Sequence, residues 1–101
     1  MFDRVFGVYI MASDRPTLYI GMTNHLGRRI HEHRIGEGSV FTKRYKLNKC
    51  VYYEYSETAR QAIIREKQLK HLHRAEKLKM IKEFNPAFKD LGDELIELFG
   101  C

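Results

Sequence analysis

VYIMASDRPTLYIG, residues 8–21, contains two short apolar runs separated by the segment SDRP. Asp and Pro favour turns, and the runs on either side are rich in the branched and aromatic residues that favour strands. The stretch therefore predicts a β-hairpin, with strands at about residues 6–11 and 17–22. Each predicted strand carries a tyrosine, Tyr9 in the first and Tyr19 in the second.

The two tyrosines fall on the same face of the predicted hairpin. Side chains alternate between the faces of a sheet along a strand. The aliphatic face is then formed by Val8, Ile10, Leu18 and Ile20. Tyr9 and Tyr19 lie on the other face, where glycines flank them. Taken alone, this pattern favours tyrosines that pack beneath a helix over tyrosines that take part in chemistry.

The hairpin leads into a predicted helix from about residue 25 to 35, with Asn24 as its N-cap and GEGS at 36–39 as its end. The basic segment FTKRYK, residues 41–46, has no clear assignment. CVYYEY at 50–55 is strongly β-prone and predicts a third strand.

A second long helix opens at Thr58, because Gln61 completes a capping-box pattern, and it extends to about residue 72. Helical sequence continues after a bend near His73 and ends at Asn85, since the residue before a proline is disfavoured in a helix. The order β-β-α-β-α-α predicts an α+β fold, in which helices flank a small three-stranded antiparallel sheet. The acidic DELIELF near the end is either a flap over a basic face or a solvated turn or two of helix.

Composition indicates one soluble domain with an anionic partner. The chain has 101 residues, a net charge of +5 and two cysteines. A basic balance favours nucleic acid over a membrane surface as partner. Cys50 and Cys101 match no metal spacing, so we expect reduced thiols in a cytoplasmic protein. The N-terminus does not resemble a signal peptide, and no run approaches the roughly 20 apolar residues that span a bilayer.

The first predicted helix places an arginine and a histidine on its apolar stripe. Leu26, Arg29, Ile30 and His33 fall at positions i, i+3, i+4 and i+7. Arg29 either lays its stem on the sheet and extends to water, or it faces a ligand. A single histidine in this position is more often a packing residue than a catalyst.

Glu66 is the most informative residue of the second long helix. It stands in a stripe with Ala59, Ala62, Ile63 and Leu69. A carboxylate among apolar residues is costly to desolvate unless a cation, a metal or hydrogen-bond donors meet it. A structural salt bridge to Arg29 and a functional site are equally compatible with the pattern.

GVY at 7–9 and YIG at 19–21 resemble the two half-motifs of the GIY-YIG nuclease superfamily. GMTNHLGRRIHEH resembles the continuation of the family's motif, so that Arg29 matches the family's helical arginine and His33 a position filled by histidine or tyrosine. Glu66, in AIIRE, matches the family's metal-binding glutamate. The likeness covers about residues 6–91 and is closest to small single-domain bacterial members, which share the ending RAEKLKMIKEFNPAFKDL.

This resemblance implies one domain over residues 1–101, with a motif-bearing core at about 5–91 and an acidic segment at 90–101. Val8 replaces the isoleucine of the motif. Met22 stands where several active members carry lysine, and Asn85 either matches or misses a late asparagine of other branches.

The resemblance also implies a metal-dependent DNA endonuclease with weak sequence preference, or one directed to branched, flapped or damaged DNA, in repair or recombination. A single divalent ion, Mg²⁺ or Mn²⁺, on Glu66 would serve as Lewis acid, and Arg29 would clamp the phosphate. Tyr9 is the expected general base, Tyr19 positions water or phosphate, and His33 assists proton transfer. Free tyrosine has a pKa of about 10, so Tyr9 requires activation.

Contacts to the DNA backbone are expected from the basic side chains of Lys43, Arg44, Lys46, Arg65, Lys67 and Lys70. Two alternatives stay open. One is a nucleic-acid-binding module that has lost turnover or needs a protein partner for targeting, and the other is an interaction adaptor that uses DELIELF. The oligomeric state does not follow from the sequence.

Overall fold

A computed structural model describes residues 4–38 and 40–100. The elements in chain order are β1 (Gly7–Ala12), β2 (Leu18–Thr23), α1 (Leu26–Arg34), α2 (Val40–Arg44), β3 (Lys49–Tyr55), α3 (Ala59–His71), α4 (Arg74–Phe84) and α5 (Gly92–Phe99). They confirm the predicted α+β fold, a three-stranded antiparallel sheet with flanking helices. The segment 41–46, unassigned from sequence, holds most of α2. Cys101 and Ser39, the last residue of GEGS, lie outside the described residues.

The sheet has the order β2-β1-β3, and β1 is antiparallel to both neighbours. In the hairpin, Tyr9 lies opposite Gly21 and Ile10 opposite Ile20. The pairing of β1 with β3 shifts between Ile10 and Met11, so Val51 is an extra residue on β3. A bulge of this kind turns successive side chains to one face, and Val51 and its neighbour Tyr52 accordingly share a core.

Two hydrophobic cores lie on opposite faces of the sheet. The first contains Val8, Ile10, Ala12, Ile20, Val51, Tyr52, Leu69 and Ile81. The second contains Tyr9, Met11, Leu26, Ile30, Leu47, Cys50 and Leu95. The predicted aliphatic face therefore packs beneath α3 and α4, and the face with the tyrosines packs beneath α1 and α5. Burial raises the pKa of the Cys50 thiol to about 12, which keeps it protonated and unreactive.

The first helix begins one residue later than predicted. His25, not Asn24, is the N-cap, and its Nδ1 accepts a hydrogen bond from the backbone N–H of Arg28 at 3.2 Å. The cause is Val5, whose backbone bonds Asn24 and Leu26 on either side of His25 and holds this stretch extended.

The second long helix begins as predicted, because Thr58 Oγ1 accepts from the N–H of Gln61 at 3.1 Å. The predicted bend is a full break, since Leu72 and His73 are both extended. The following helix, α4, ends at Asn85, as the Asn-Pro pair predicts.

The acidic C-terminal segment packs on α1. Asp90 Oδ1 accepts hydrogen bonds from the N–H groups of Cys50 at 3.0 Å and Gly92 at 2.9 Å. Arg34 forms ion pairs with Asp90 at 3.2 Å and Asp93 at 2.6 Å. Helix α5 thus covers the second core. Across the part of the chain that is described, no helix is long and apolar enough to cross a membrane.

Replacing the buried Leu95 tests whether α5 is part of the fold. Leu95→Ala should lower the free energy of unfolding by about 2–5 kcal/mol, because a buried leucine is lost and a cavity remains. Leu98, 63% exposed on the same helix, is the matched control, and Leu98→Ala should change stability by less than about 0.5 kcal/mol. Urea unfolding measures both. Equal, small effects would mean that α5 does not contribute to the core.

Candidate active site

Tyr9 and Tyr19 come together on the sheet face beneath α1. Their ring centroids are 6.3 Å apart. Gly21, opposite Tyr9 on β2, leaves room for the phenol, because a Cβ built on Gly21 would lie 2.5 Å from the Tyr9 hydroxyl oxygen. The glycine of the YIG half-motif thus has a steric reason.

Helix α1 places Arg29 and His33, one turn apart, over the Tyr9 hydroxyl. Arg29 Nε donates to the Tyr9 oxygen at 3.3 Å, and that hydroxyl lies 3.0 Å from His33 Nε2. Arg29 also pairs through Nη1 with Glu32 Oε1 at 3.1 Å. The apolar stripe predicted for this helix therefore brings three of the five candidate catalytic residues into one hydrogen-bonded cluster, and Glu32 joins it at the surface.

His33 is held in its neutral form. Burial, followed by the positive charge of Arg29, lowers its pKa to about 4, although the Glu32 carboxylate acts in the opposite direction. Its Nδ1 lies 2.9 Å from Thr42 Oγ1 on α2. These contacts fit a neutral tautomer in which the Tyr9 O–H donates to His33 Nε2 and the ring proton on Nδ1 donates to Thr42 Oγ1, and they equally fit the reverse directions with the ring proton on Nε2. Sequence reasoning missed Thr42, since it lies in the unassigned segment.

Tyr9 is a weak acid in this arrangement. It is 1% exposed, and burial raises the pKa of its phenol, although the hydrogen bond from Arg29 acts in the opposite direction. Burial outweighs the arginine, so the phenol is protonated at neutral pH. Tyr9 was expected to require activation, and the hydrogen bond from Arg29 acts in that direction but is not sufficient alone.

Glu66 lies on α3 and pairs with Lys70, its Oε2 standing 3.5 Å from Nζ. Its side chain is only 19% exposed, as its place in the stripe predicts. The stripe itself is narrower than expected, because Ala62 and Leu69 are buried but Ile63 is exposed. The alternative salt bridge with Arg29 does not form, since Arg29 pairs with Glu32.

The metal expected from the resemblance depends on Glu66. Among the described residues, no three His, Cys, Asp or Glu side chains gather into a group that could hold an ion. A single, partly exposed carboxylate still fits Mg²⁺, which keeps several waters and borrows substrate oxygens. The donor set therefore suits a hard divalent cation bound together with a phosphate.

The site opens at β2 into a pocket of about 360 Å³. Its lining consists of Leu18, Tyr19, Ile20, Phe41, Lys70 and Lys77. Lys70, the partner of Glu66, thus lines the same pocket as Tyr19. Lys77 and Phe41 were not predicted as site residues, and their periodicity gave no signal for this position.

The basic residues predicted to contact DNA differ in how free they are. Lys43, Arg44 and Lys46 are exposed on and just after α2, as are Lys67 and Lys70 on α3. Arg65 is engaged by Glu54 on β3, with Nη2 2.8 Å from Oε2. Arg65 is thus tied to the sheet, and a phosphate would have to compete with Glu54 for it.

Met22 and Asn85, the two positions left open by the resemblance, have structural partners. Met22 packs against the first core, on the face opposite Tyr9. Asn85 is buried, and its Nδ2 donates to the carbonyls of Val51 at 3.2 Å and Lys89 at 2.8 Å. Asn85 therefore ties the end of α4 to β3.

Comparisons with known proteins identify a matching family and several relatives. The family profile described as the GIY-YIG catalytic domain matches residues 5–79. A UPF0213 protein of Clostridium perfringens is 40% identical over 74 residues, which cover 73% of this chain and 80% of that protein. A UPF0213 protein of Syntrophus aciditrophicus is 39% identical over 80 residues, 78% of this chain and 91% of the relative. A UPF0213 protein of Staphylococcus aureus is 36% identical over 76 residues, which cover 75% of this chain and 93% of that protein. No solved structure matches the chain.

The low pKa of His33 predicts a pH dependence of stability. Between about pH 4 and 6.5 the unfolded histidine binds its proton while folded His33 does not, so the free energy of unfolding should rise with pH across this window. This contribution should be complete above about 6.5 and lost towards 4. Urea unfolding at a series of pH values measures the slope.

His33→Gln should flatten that slope relative to the wild type, while His31→Gln, an exposed site on the same helix, should leave it unchanged. A His33 imidazole that titrates near 6.5 by NMR would contradict the prediction.

Proposed function

The chain belongs to the GIY-YIG family, whose catalytic domain is of the nuclease type, and from this membership we propose that it is a metal-dependent DNA endonuclease hydrolysing phosphodiester bonds. The single observation that carries the proposal is the hydrogen-bonded cluster of Tyr9, Arg29 and His33 beside Tyr19. Its setting is the bacterial cytoplasm, in DNA repair or recombination.

Arg29 is the phosphate clamp. Its guanidinium has a flat array of donors suited to phosphate oxygens, and it is only part-buried. Its pairing with Glu32 is exposed enough to be weak, so an incoming phosphate can take its place. A divalent cation bound at Glu66 would supply Lewis-acid stabilisation of the phosphate and the leaving oxygen.

Tyr9 and His33 act together as the base. When Arg29 turns to the phosphate, the Tyr9 oxygen loses a donor and can accept a proton from the attacking water. In the same step the Tyr9 proton passes to His33 Nε2, 3.0 Å away, so that neither a free phenolate nor a protonated phenol is formed. The phosphate charge also offsets that of Arg29, one cause of the low His33 pKa. Tyr19, at the pocket, positions the water or phosphate.

A module that binds nucleic acid without useful turnover is the second candidate. It is favoured by the buried, protonated Tyr9. The exposed lysines and arginines of α2 and α3 support both candidate functions equally. Cleavage distinguishes the two.

Glu66→Gln and Arg29→Lys should each reduce cleavage of labelled duplex, single-stranded or branched DNA by about a hundredfold or more, as expected when a transition-state contact is removed. Mg²⁺ or Mn²⁺ should be required, and a chelator should abolish cutting. Glu83→Gln and Arg28→Lys, both at exposed positions, are the matched controls and should stay near the wild-type rate. Salt-sensitive binding without metal-dependent cutting would favour the module.

Tyr9→Phe tests the base. Loss of the hydroxyl should reduce the cleavage rate by about 10²–10⁴-fold, the range of a general acid–base contribution, at every pH studied. Stability should be measured alongside, because Arg29 and His33 both lose a partner. If the variant cuts at the wild-type rate over a range of pH, Tyr9 is not the base.

A further inference from the structure

Two aromatic rings stand exposed beside the candidate active site. Phe41 on α2 is 42% exposed, and Tyr45, just after that helix, is 47% exposed. Their ring centroids are 4.7 Å apart. Single apolar residues on a surface need no explanation, but a contiguous aromatic pair next to a pocket indicates a ligand surface.

The pair continues into the site. Phe41 stacks on Tyr19 with centroids 6.0 Å apart and planes 27° from parallel. Tyr19 in turn lies 5.9 Å from the His33 ring. We call Tyr19, Phe41 and Tyr45 the ring ladder. It runs from the wall of the cluster out to the surface of α2.

Positive charges surround the ring ladder. The Arg44 guanidinium lies over the Tyr45 ring, 5.7 Å from its centroid, and Lys43 and Lys46 are exposed in the same segment. Lys70 and Lys77 line the pocket along with Tyr19 and Phe41. Aromatic faces beside cations that follow a backbone are the means by which proteins bind single-stranded nucleic acid.

We propose that the ring ladder is a stacking site for unpaired DNA bases that flank the scissile phosphate, so that the substrate class is DNA with a single-stranded segment at the cut. The inference rests on the proposed nuclease function and deepens it. A paired base within a duplex is stacked on both faces and offers only its edges. The exposed rings therefore cannot stack on a paired base, whereas they can stack on an unpaired one. The surrounding cations match the phosphates of the same strand.

Binding in a chelating buffer tests the inference without cleavage. The probes are a fully paired duplex and the same duplex with a short single-stranded gap that carries 2-aminopurine, whose fluorescence is quenched by stacking. Phe41→Leu and Tyr45→Leu keep apolar bulk but lose the ring face. Each should weaken binding to gapped DNA by about tenfold and relieve the quenching, while binding to the duplex stays unchanged.

Val40→Ala, at an exposed position on the same helix but outside the ring ladder, is the control and should match the wild type on both probes. Circular dichroism melting should show that all variants remain folded. Equal losses on both probes, or no loss on either, would overturn the stacking site.

A cleavage assay with Mg²⁺ distinguishes failure of the stacking site from failure of the proposed nuclease function. A wild-type protein that cuts duplex and gapped DNA equally, with the ring variants unaffected, overturns the stacking site and leaves the nuclease standing. Quenched binding of gapped DNA without any cutting supports the stacking site and overturns the nuclease. A wild-type protein that binds neither probe overturns both.

Discussion

The Tyr9 phenol lies in a strand that is covered on both faces. Every residue of β1 is buried, because β1 pairs on two sides and has a hydrophobic core above and below it. A buried hydroxyl without partners would cost about 1–3 kcal/mol, so Tyr9 must be met by polar groups inside the second core. Arg29 and His33 meet it, which requires α1 to lie across the sheet with those two side chains inward. The absence of a side chain at Gly21 follows from the same crowding.

This arrangement makes the functional cluster part of the architecture. The hydrogen bond between His33 and Thr42 joins α1 to α2, and α2 carries Phe41 onto the Tyr19 ring. Helix α5 closes the second core through Leu95. A site supported in this way by packing on several elements is held in a fixed geometry before any ligand binds, which is the condition for electrostatic stabilisation of a reacting phosphate.

The sequence predicted what short-range rules control. Alternation placed the tyrosines on one face, and helical spacing placed Arg29 and His33 together. It missed what distant contacts decide. The helix starts after His25 instead of Asn24 because a preceding segment pairs with this stretch. Thr42 has no periodic signal, since a short helix is held in place by the rest of the fold more than by its own pattern. The exposure of Ile63 on α3 likewise depends on how that helix packs against the edge strand β2.

Charge balance at the mouth of the site explains how a phosphate could enter. Arg29 is neutralised by Glu32 and Lys70 by Glu66, and both pairs are partly exposed. Pairs of this kind contribute little, about 0–1 kcal/mol, so exchanging them for other partners costs little. A phosphate that binds Arg29 would displace Glu32. A cation that binds Glu66 would displace Lys70, whose ammonium could then contact a DNA phosphate. Tyr19 on the edge strand β2 contacts the hydrogen-bonded cluster and also lines the pocket. Both exchanges of partners would therefore take place beside β2.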